Sequence, residues 1–255
     1  METNKTPEWW RLSIDKIKLA GAEYSSAVPF PHVVVDDLLP SDLCSQVASE
    51  LIEYQCVWTK SNNARETKLF TQQGILDRLR ANGKIPHVCS VLEFLASVEL
   101  CEAISSVTGI EEILPDSDFV GGGIHRINRG GRLAVHTDFT GLPGSRGSVF
   151  RRANALLYMN ENWDETYGGH LHLVDGESGE VARSILPIAN RFVLFDTTTK
   201  SWHGHPVPLT CPSDRARLSL ASYYYTHKPP HDFIRHQNTT FLERKIWEPN
   251  NHLKT

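Results

Sequence analysis

The chain has 255 residues, 40% of them hydrophobic and 22% charged, with a net charge of −4. That balance suits a globular protein whose core needs no staples. It speaks against a nucleic-acid partner, which requires a basic surface. No apolar run approaches the ~18 residues of a membrane span, and METNKTPEWWRLSIDK lacks the apolar centre of a signal peptide. The cysteines Cys44, Cys56, Cys89, Cys101 and Cys211 are odd in number and never spaced C-x-x-C. Reduced thiols in a cytoplasmic protein are expected, rather than disulfides or a cysteine metal site.

In chain order, Thr6 and Pro7 are expected to start a helix, with Thr6 as its cap and Trp10, Ile14 and Ile17 on one face. His32 to Val35 reads as a strand that Pro40-Ser41 ends. Ser41 is expected to cap a helix in which Leu43, Val47 and Leu51 recur at i, i+4, i+8. Residues 55–87 are polar and read as irregular, with Trp58, Arg65, Lys68 and Arg78, the kind of segment that shapes a pocket or lid. Residues 90–108 read as one helix with a stripe of Val91, Leu95, Val98, Leu100 and Ile104, stopped by Gly109.

After Gly109 the pattern changes. GGGIHRI, RLAVHTDF, NALLYMN, GGHLHLVD, ARSILPI, RFVLFD, WHGHPV and ARLSLASYYYT are short apolar or alternating runs separated by Gly, Pro, Asn and Asp. Such spacing predicts a mainly β sandwich or jelly roll with a helical N-terminal support, an α+β protein. The expected organisation is a helical support with an incoming strand over 1–110, a β-domain over 111–226 and a polar tail over 227–255. FLERKIW is expected to form a short helix in that tail, with the whole chain expected to be one folding unit.

His136 and Asp138 stand one residue apart at the end of an apolar run. On a strand, residues i and i+2 share a face, so both side chains can reach one ion. Two imidazoles and one carboxylate on one side of a metal, with the other side open, form the ligand set of a non-haem Fe(II) oxygenase. The third ligand must come from a distant strand. His203 and His205, after RFVLFD and the turn TTTKS, share a face on a regular strand, and both are candidates. His170 and His172 also share a face and read as pocket or sheet-surface residues.

A dicarboxylate cosubstrate needs a fixed cation, and the arginine fork binds a carboxylate at two points. Arg217 and Ser219 point the same way on the next strand, with Arg215 on that face nearer the turn. On RRANALLYMN, residues 152, 154, 156 and 158 alternate onto one face. Turned inward, Leu156 walls the pocket, Tyr158 offers its hydroxyl to the carboxylate and Asn154 lies nearer the substrate.

The segments HTDF, RRANALLYMNENWDETYGGHLHLVD, FDTTTKSWHGHPVPL and RARLSLASYYYT together resemble the 2-oxoglutarate/Fe(II)-dependent oxygenases of the prolyl-4-hydroxylase-like superfamily. PFPHVVVDDLLP looks like that family's first strand. The likeness runs from about residue 29 to about residue 226. It implies a double-stranded β-helix with Fe(II) held by His136, Asp138 and His203, the histidine in the W-H-G context. It also implies 2-oxoglutarate held by Arg217, with Tyr158, Ser219 and Leu156 beside it. O₂ is the co-oxidant, and ascorbate is an expected stimulant.

Two departures bear on the substrate. Arg217 stands where many prolyl hydroxylases carry Lys, and HRINRGGRLAV carries Arg126 and Asn128 where they often carry a Tyr. A small metabolite or biosynthetic intermediate is therefore expected as the substrate, with hydroxylation of an unactivated C–H and release of succinate and CO₂. Arginines flank the metal strand on both sides: Arg126, Arg129 and Arg132 before it, Arg146, Arg151 and Arg152 after it. They suggest an anionic substrate met by Arg126, Asn128, Arg146 and Asn154, with TGLPGSRGSVF as a cover. A prolyl or protein hydroxylase, a cupin-like metal enzyme without 2-oxoglutarate and an inactive jelly-roll module are the alternatives. The oligomeric state is open, a homodimer among the options.

Overall fold

The computed structural model describes residues 6–54, 59–60, 67–68, 75–142, 149–230 and 240–241. Helix α1 spans Glu8–Ala20 and buries Ile17, with Trp10 and Ile14 packed against the core. Its N-cap is Pro7 without a side-chain bond. Thr6 does not cap it; its hydroxyl reaches Glu99 instead. Strand β1 is His32–Val35, as expected. Helix α2, Ser41–Glu53, buries Leu43, Val47 and Leu51 on its expected stripe. Ser41 is its first helical residue rather than its cap, because the chain already bends into the helix at Pro40.

The segment expected to be irregular carries two-residue strands β2 (Thr59–Lys60) and β3 (Thr67–Lys68) and helix α3 (Ile75–Asn82). Trp58 and Arg65 lie outside the described residues. The single helix expected over 90–108 is two, α4 (Pro86–Leu95) and α5 (Val98–Thr108). Ser97 makes the break: its hydroxyl accepts from Leu100 N at 3.1 Å and donates to Phe94 O at 2.7 Å. Val98 consequently falls off the stripe and is 61% exposed. Gly109 ends α5 in the left-handed conformation, φ 71°.

The β-domain follows the sequence reading closely. Strands β4 (Gly123–Asn128), β5 (Leu133–Thr137), β7 (Val149–Tyr158), β8 (Leu171–Val174), β9 (Val181–Ile185), β10 (Phe192–Asp196), β11 (Trp202–His205) and β12 (Ala216–Thr226) occupy the eight runs named above. Two-residue strands β6 (Gly141–Leu142) and β13 (Thr240–Phe241) join them. An eight-stranded sheet runs β1-β10-β7-β12-β4-β3-β2, with β6 on β7, and a five-stranded sheet runs β13-β5-β11-β8-β9. Pairing is antiparallel throughout. Phe241 lies in β13, paired with His136, so the tail opens this motif as strand; the rest of FLERKIW is outside the described residues.

Alternation gives the large sheet two different faces. Ala153, Ala155, Leu157, Leu218, Leu220 and Tyr224 point to the helices and share one apolar cluster with Ile17, Leu51 and Leu95. The other face looks toward the small sheet. There Tyr158, Val193 and Phe195 pack with Leu171, Leu173 and Ile185, closing the jelly roll. No helix among the described residues is long and apolar enough to cross a membrane. Cys44, Cys89, Cys101 and Cys211 are buried and free.

Candidate metal centre

The small sheet brings the metal-type side chains together. In the β5–β11 ladder His203 stands directly opposite His136, and their rings lie 4.5 Å apart. Asp138 follows the end of β5, with Oδ1 3.6 Å from His136 Nε2 and Oδ2 3.5 Å from His203 Nε2. One ligand atom from each residue lies within 4.8 Å of the others, close enough to surround an ion about 2 Å from each donor. No other such group occurs among the described residues.

The donor atoms are prepared for a cation. His136 Nδ1 is 2.8 Å from Ala134 O, and His203 Nδ1 is 2.9 Å from Ser201 O. A carbonyl accepts only from N–H, so each Nδ1 carries the proton and each Nε2 keeps its lone pair toward Asp138. Burial lowers His203 to a pKa of about 4, which keeps it a neutral ligand. Burial alone would raise the Asp138 carboxyl, but the Arg151 guanidinium outweighs it and holds it well below the usual carboxylate range. Two imidazoles presenting Nε2 and one ionised carboxylate fit Fe(II).

The competing histidine, His205, does not join the group. His205 pairs with Leu133, beyond an extra residue on β5, which sets it farther along the ladder from the His136–Asp138 end. His205 is 2% exposed and neither ring nitrogen has a hydrogen-bond partner. His170 and His172 lie parallel with centroids 6.2 Å apart on β8 and its approach, also outside the group. Gly204 is required where it stands: a Cβ would lie 2.8 Å from Ala134 O and 2.9 Å from Val135 Cα.

Arg217, 4% exposed, sits on the same inward face of the large sheet as the expected anion cradle. Its Nε donates to Gly169 O at 2.8 Å and its Nη2 to the Tyr158 hydroxyl at 3.2 Å. Gly169 makes this approach: φ is +77° and a Cβ would lie 3.0 Å from Arg217 Cδ. Burial raises the Tyr158 hydroxyl above its ordinary range despite Arg217, so it remains a proton donor. Ser219 pairs with Tyr158, and Ala221 with Leu156, so Leu156, Tyr158 and Ser219 share the inward face as anticipated. Arg215, by contrast, reaches out to the carbonyls of Glu161 and Asn162.

The expected substrate residues fare differently. Arg126 and Asn128 pair with Leu218 and Ala216, while Ile127 pairs with Arg217. Paired residues share a face, so Arg126 and Asn128 point away from the cradle, and Arg126 Nε bonds Asn128 Oδ1 at 3.1 Å. The inward residues of β4 are His125 and Ile127. Arg146 lies outside the described residues. Asn154 does point inward, but its Nδ2 donates to Asp138 Oδ2 at 2.7 Å, so it serves the metal-side carboxylate rather than a substrate.

Arg151 was seen in the sequence only as one of several flanking arginines. It is 2% exposed, and its Nη2 lies 3.1 Å from Asp138 Oδ2. A bulge explains the miss. On β7, Tyr224 pairs with Ala153 but Tyr225 pairs with Arg151, so one residue is skipped and Arg151 takes the inward position that strict alternation gives Arg152. Arg152 instead reaches Thr226 Oγ1 at 3.3 Å.

Residues 122–225 match the family model described as the 2OG-Fe(II) oxygenase superfamily. Prolyl 3-hydroxylase OGFOD1 of Mus musculus is 29% identical over 79 residues, a match spanning 29% of this chain and 14% of that protein. A prolyl 4-hydroxylase from Phytophthora capsici superposes with a TM-score of 0.55 at 18% identity, covering 88% of this chain and 68% of its own. The Trichoplax adhaerens prolyl hydroxylase in complex with a hypoxia inducible factor peptide does so with a TM-score of 0.55 at 16% identity, covering 87% and 94%. The superpositions share the double-stranded β-helix fold, and the family match covers the strands from β4 to β12 that carry the His-Asp-His group.

Proposed function

We propose that the protein is a 2-oxoglutarate-dependent dioxygenase that hydroxylates an unactivated C–H of a small metabolite or biosynthetic intermediate. One 2-oxoglutarate and one O₂ are consumed; one oxygen atom enters the product and the other enters succinate, with loss of CO₂. The observation that carries the reading is the convergence of His136, Asp138 and His203 on an inward side shared with a buried Arg217.

His136 Nε2, His203 Nε2 and an Asp138 oxygen would hold Fe(II), which when bound supplies the redox chemistry of O₂ activation. The Arg217 fork would take the far carboxylate of 2-oxoglutarate, with the Tyr158 hydroxyl turned to the same carboxylate and Ser219 beside it. Leu156 walls the pocket and keeps water from it. Asp138 favours hydroxylation over halogenation, because the carboxylate fills the position a halide would need.

An anionic substrate now has less support, since Arg126 and Asn128 face the helix side; the arginine loop after Asp138 is what remains of it. A peptidyl-proline substrate is the second reading, favoured by the match to a prolyl 3-hydroxylase. A cytoplasmic location is proposed with either reading, on the buried free thiols of Cys44, Cys89, Cys101 and Cys211.

Succinate release across a metabolite panel and a set of proline-containing peptides tests the proposal. Coupled turnover with a small metabolite and none with peptides is the expected result. Turnover with peptides alone supports the second reading. A protein that binds metal but never consumes 2-oxoglutarate would be a cupin-like enzyme or an inactive module.

A further inference from the structure

Asp138 has two carboxylate oxygens, and the protein treats them differently. Oδ2 accepts from Asn154 Nδ2 at 2.7 Å and faces Arg151 Nη2 at 3.1 Å. Both donors are themselves tied down. Arg151 Nε donates to Asn154 Oδ1 at 2.7 Å, and Thr197 Oγ1 donates to the same oxygen at 3.2 Å. The guanidinium is held between two rings, 3.4 Å from the Tyr223 centroid and 4.8 Å from the Phe139 centroid. Arg151, Asn154 and Thr197 are each at most 4% exposed. Among the described residues Oδ1 has no comparable donor; its near neighbour is His136 Nε2, a lone pair in the tautomer derived above.

We propose that Arg151 and Asn154 are positioning residues for the metal centre: they occupy Oδ2, so that Asp138 gives the metal Oδ1 alone. This rests on the oxygenase reading and deepens it. A six-coordinate ion with three single-atom protein ligands keeps three positions, two for a chelating 2-oxoglutarate and one for O₂. A carboxylate free to turn and bind through both oxygens would take one of them. The β7 bulge is what makes the arrangement reachable, because it turns Arg151 rather than Arg152 inward. The basic residue is there to orient a ligand, and it is closed to substrate.

The test uses the full-length protein and Co(II), which reports coordination through its visible spectrum and needs no turnover. Wild type is compared with Asn154→Ala, Arg151→Met and Arg151→Lys by calorimetric titration with Co(II), and each complex is examined spectroscopically. Asn154→Ala is expected to weaken Co(II) binding about tenfold and Arg151→Met up to about a hundredfold, the range seen for lost partners of a metal ligand. Both should alter the Co(II) spectrum, and Arg151→Lys should fall between wild type and Arg151→Met. If Arg151→Met does not fold, Asn154→Ala decides alone, since it removes one donor and leaves the buried cation in place. Folded variants with wild-type affinity and spectrum, whatever their melting temperatures, overturn the positioning role and leave the oxygenase reading intact. Wild type that binds no Co(II) overturns both.

Discussion

The two faces of the large sheet differ more than any two separate regions of the molecule, although they alternate residue by residue. On β12, Leu218, Leu220 and Tyr224 point to the helices and join the main apolar cluster, while Arg217, Ser219 and Tyr223 point inward. On β7, Ala153, Ala155 and Leu157 face the helices, while Asn154, Leu156 and Tyr158 face in. One face carries folding stability and the other carries chemistry. Polar groups survive burial on the inward face because they partner each other: Arg217 with Tyr158 and Gly169 O, Asn154 with Asp138 and Arg151.

Substitutions that strike one face only will test this division. On the helix side, Leu95 is fully buried, and Leu95→Ala should cost about 2–5 kcal/mol of stability. Denaturant unfolding reads that loss, and Co(II) affinity of the folded variant should stay within about twofold. A parallel fall in metal affinity would mean that the two faces are coupled. On the inward side, Arg217→Ala removes the charged partner of the cosubstrate carboxylate. Truncating one member of such a buried charged pair costs about 2 kcal/mol or more, so the 2-oxoglutarate Kd should rise at least ~30-fold while metal binding persists. Gly204 lies on the seam. Gly204→Ala forces a Cβ against β5 backbone and should cost about 1–3 kcal/mol in stability and metal affinity together, measured by melting and by Co(II) titration. At the small end, Arg126→Ala lies on the outward face of β4. It should leave stability within about 0.5 kcal/mol and the substrate KM unchanged. A KM rise would restore Arg126 as a substrate contact.

Much of this was legible in the sequence because the β-domain obeys a period of two. HTDF, RLS and NALLY place their inward residues by alternation alone, and the eight strands lie where apolar runs and turn residues put them. What was not legible depends on register. A bulge on β7 exchanges Arg152 for Arg151 and leaves no mark in the local pattern. Arg126 and Asn128 fall on the outward face because closeness to the metal strand in sequence says nothing of phase, which only pairing with β12 sets. The break at Ser97 had a signal, a serine ahead of a new apolar stripe, hidden by the continuity of apolar residues across it.

The most direct test of the metal centre and its cosubstrate cradle is anaerobic titration of the full-length protein with Fe(II) and 2-oxoglutarate. A visible charge-transfer band from the chelate should grow to one equivalent. It should vanish in His203→Ala and be lost from Arg217→Ala at the same 2-oxoglutarate concentration. Absence of the band in wild type, or its survival in His203→Ala and loss in His205→Ala, would contradict the assignment.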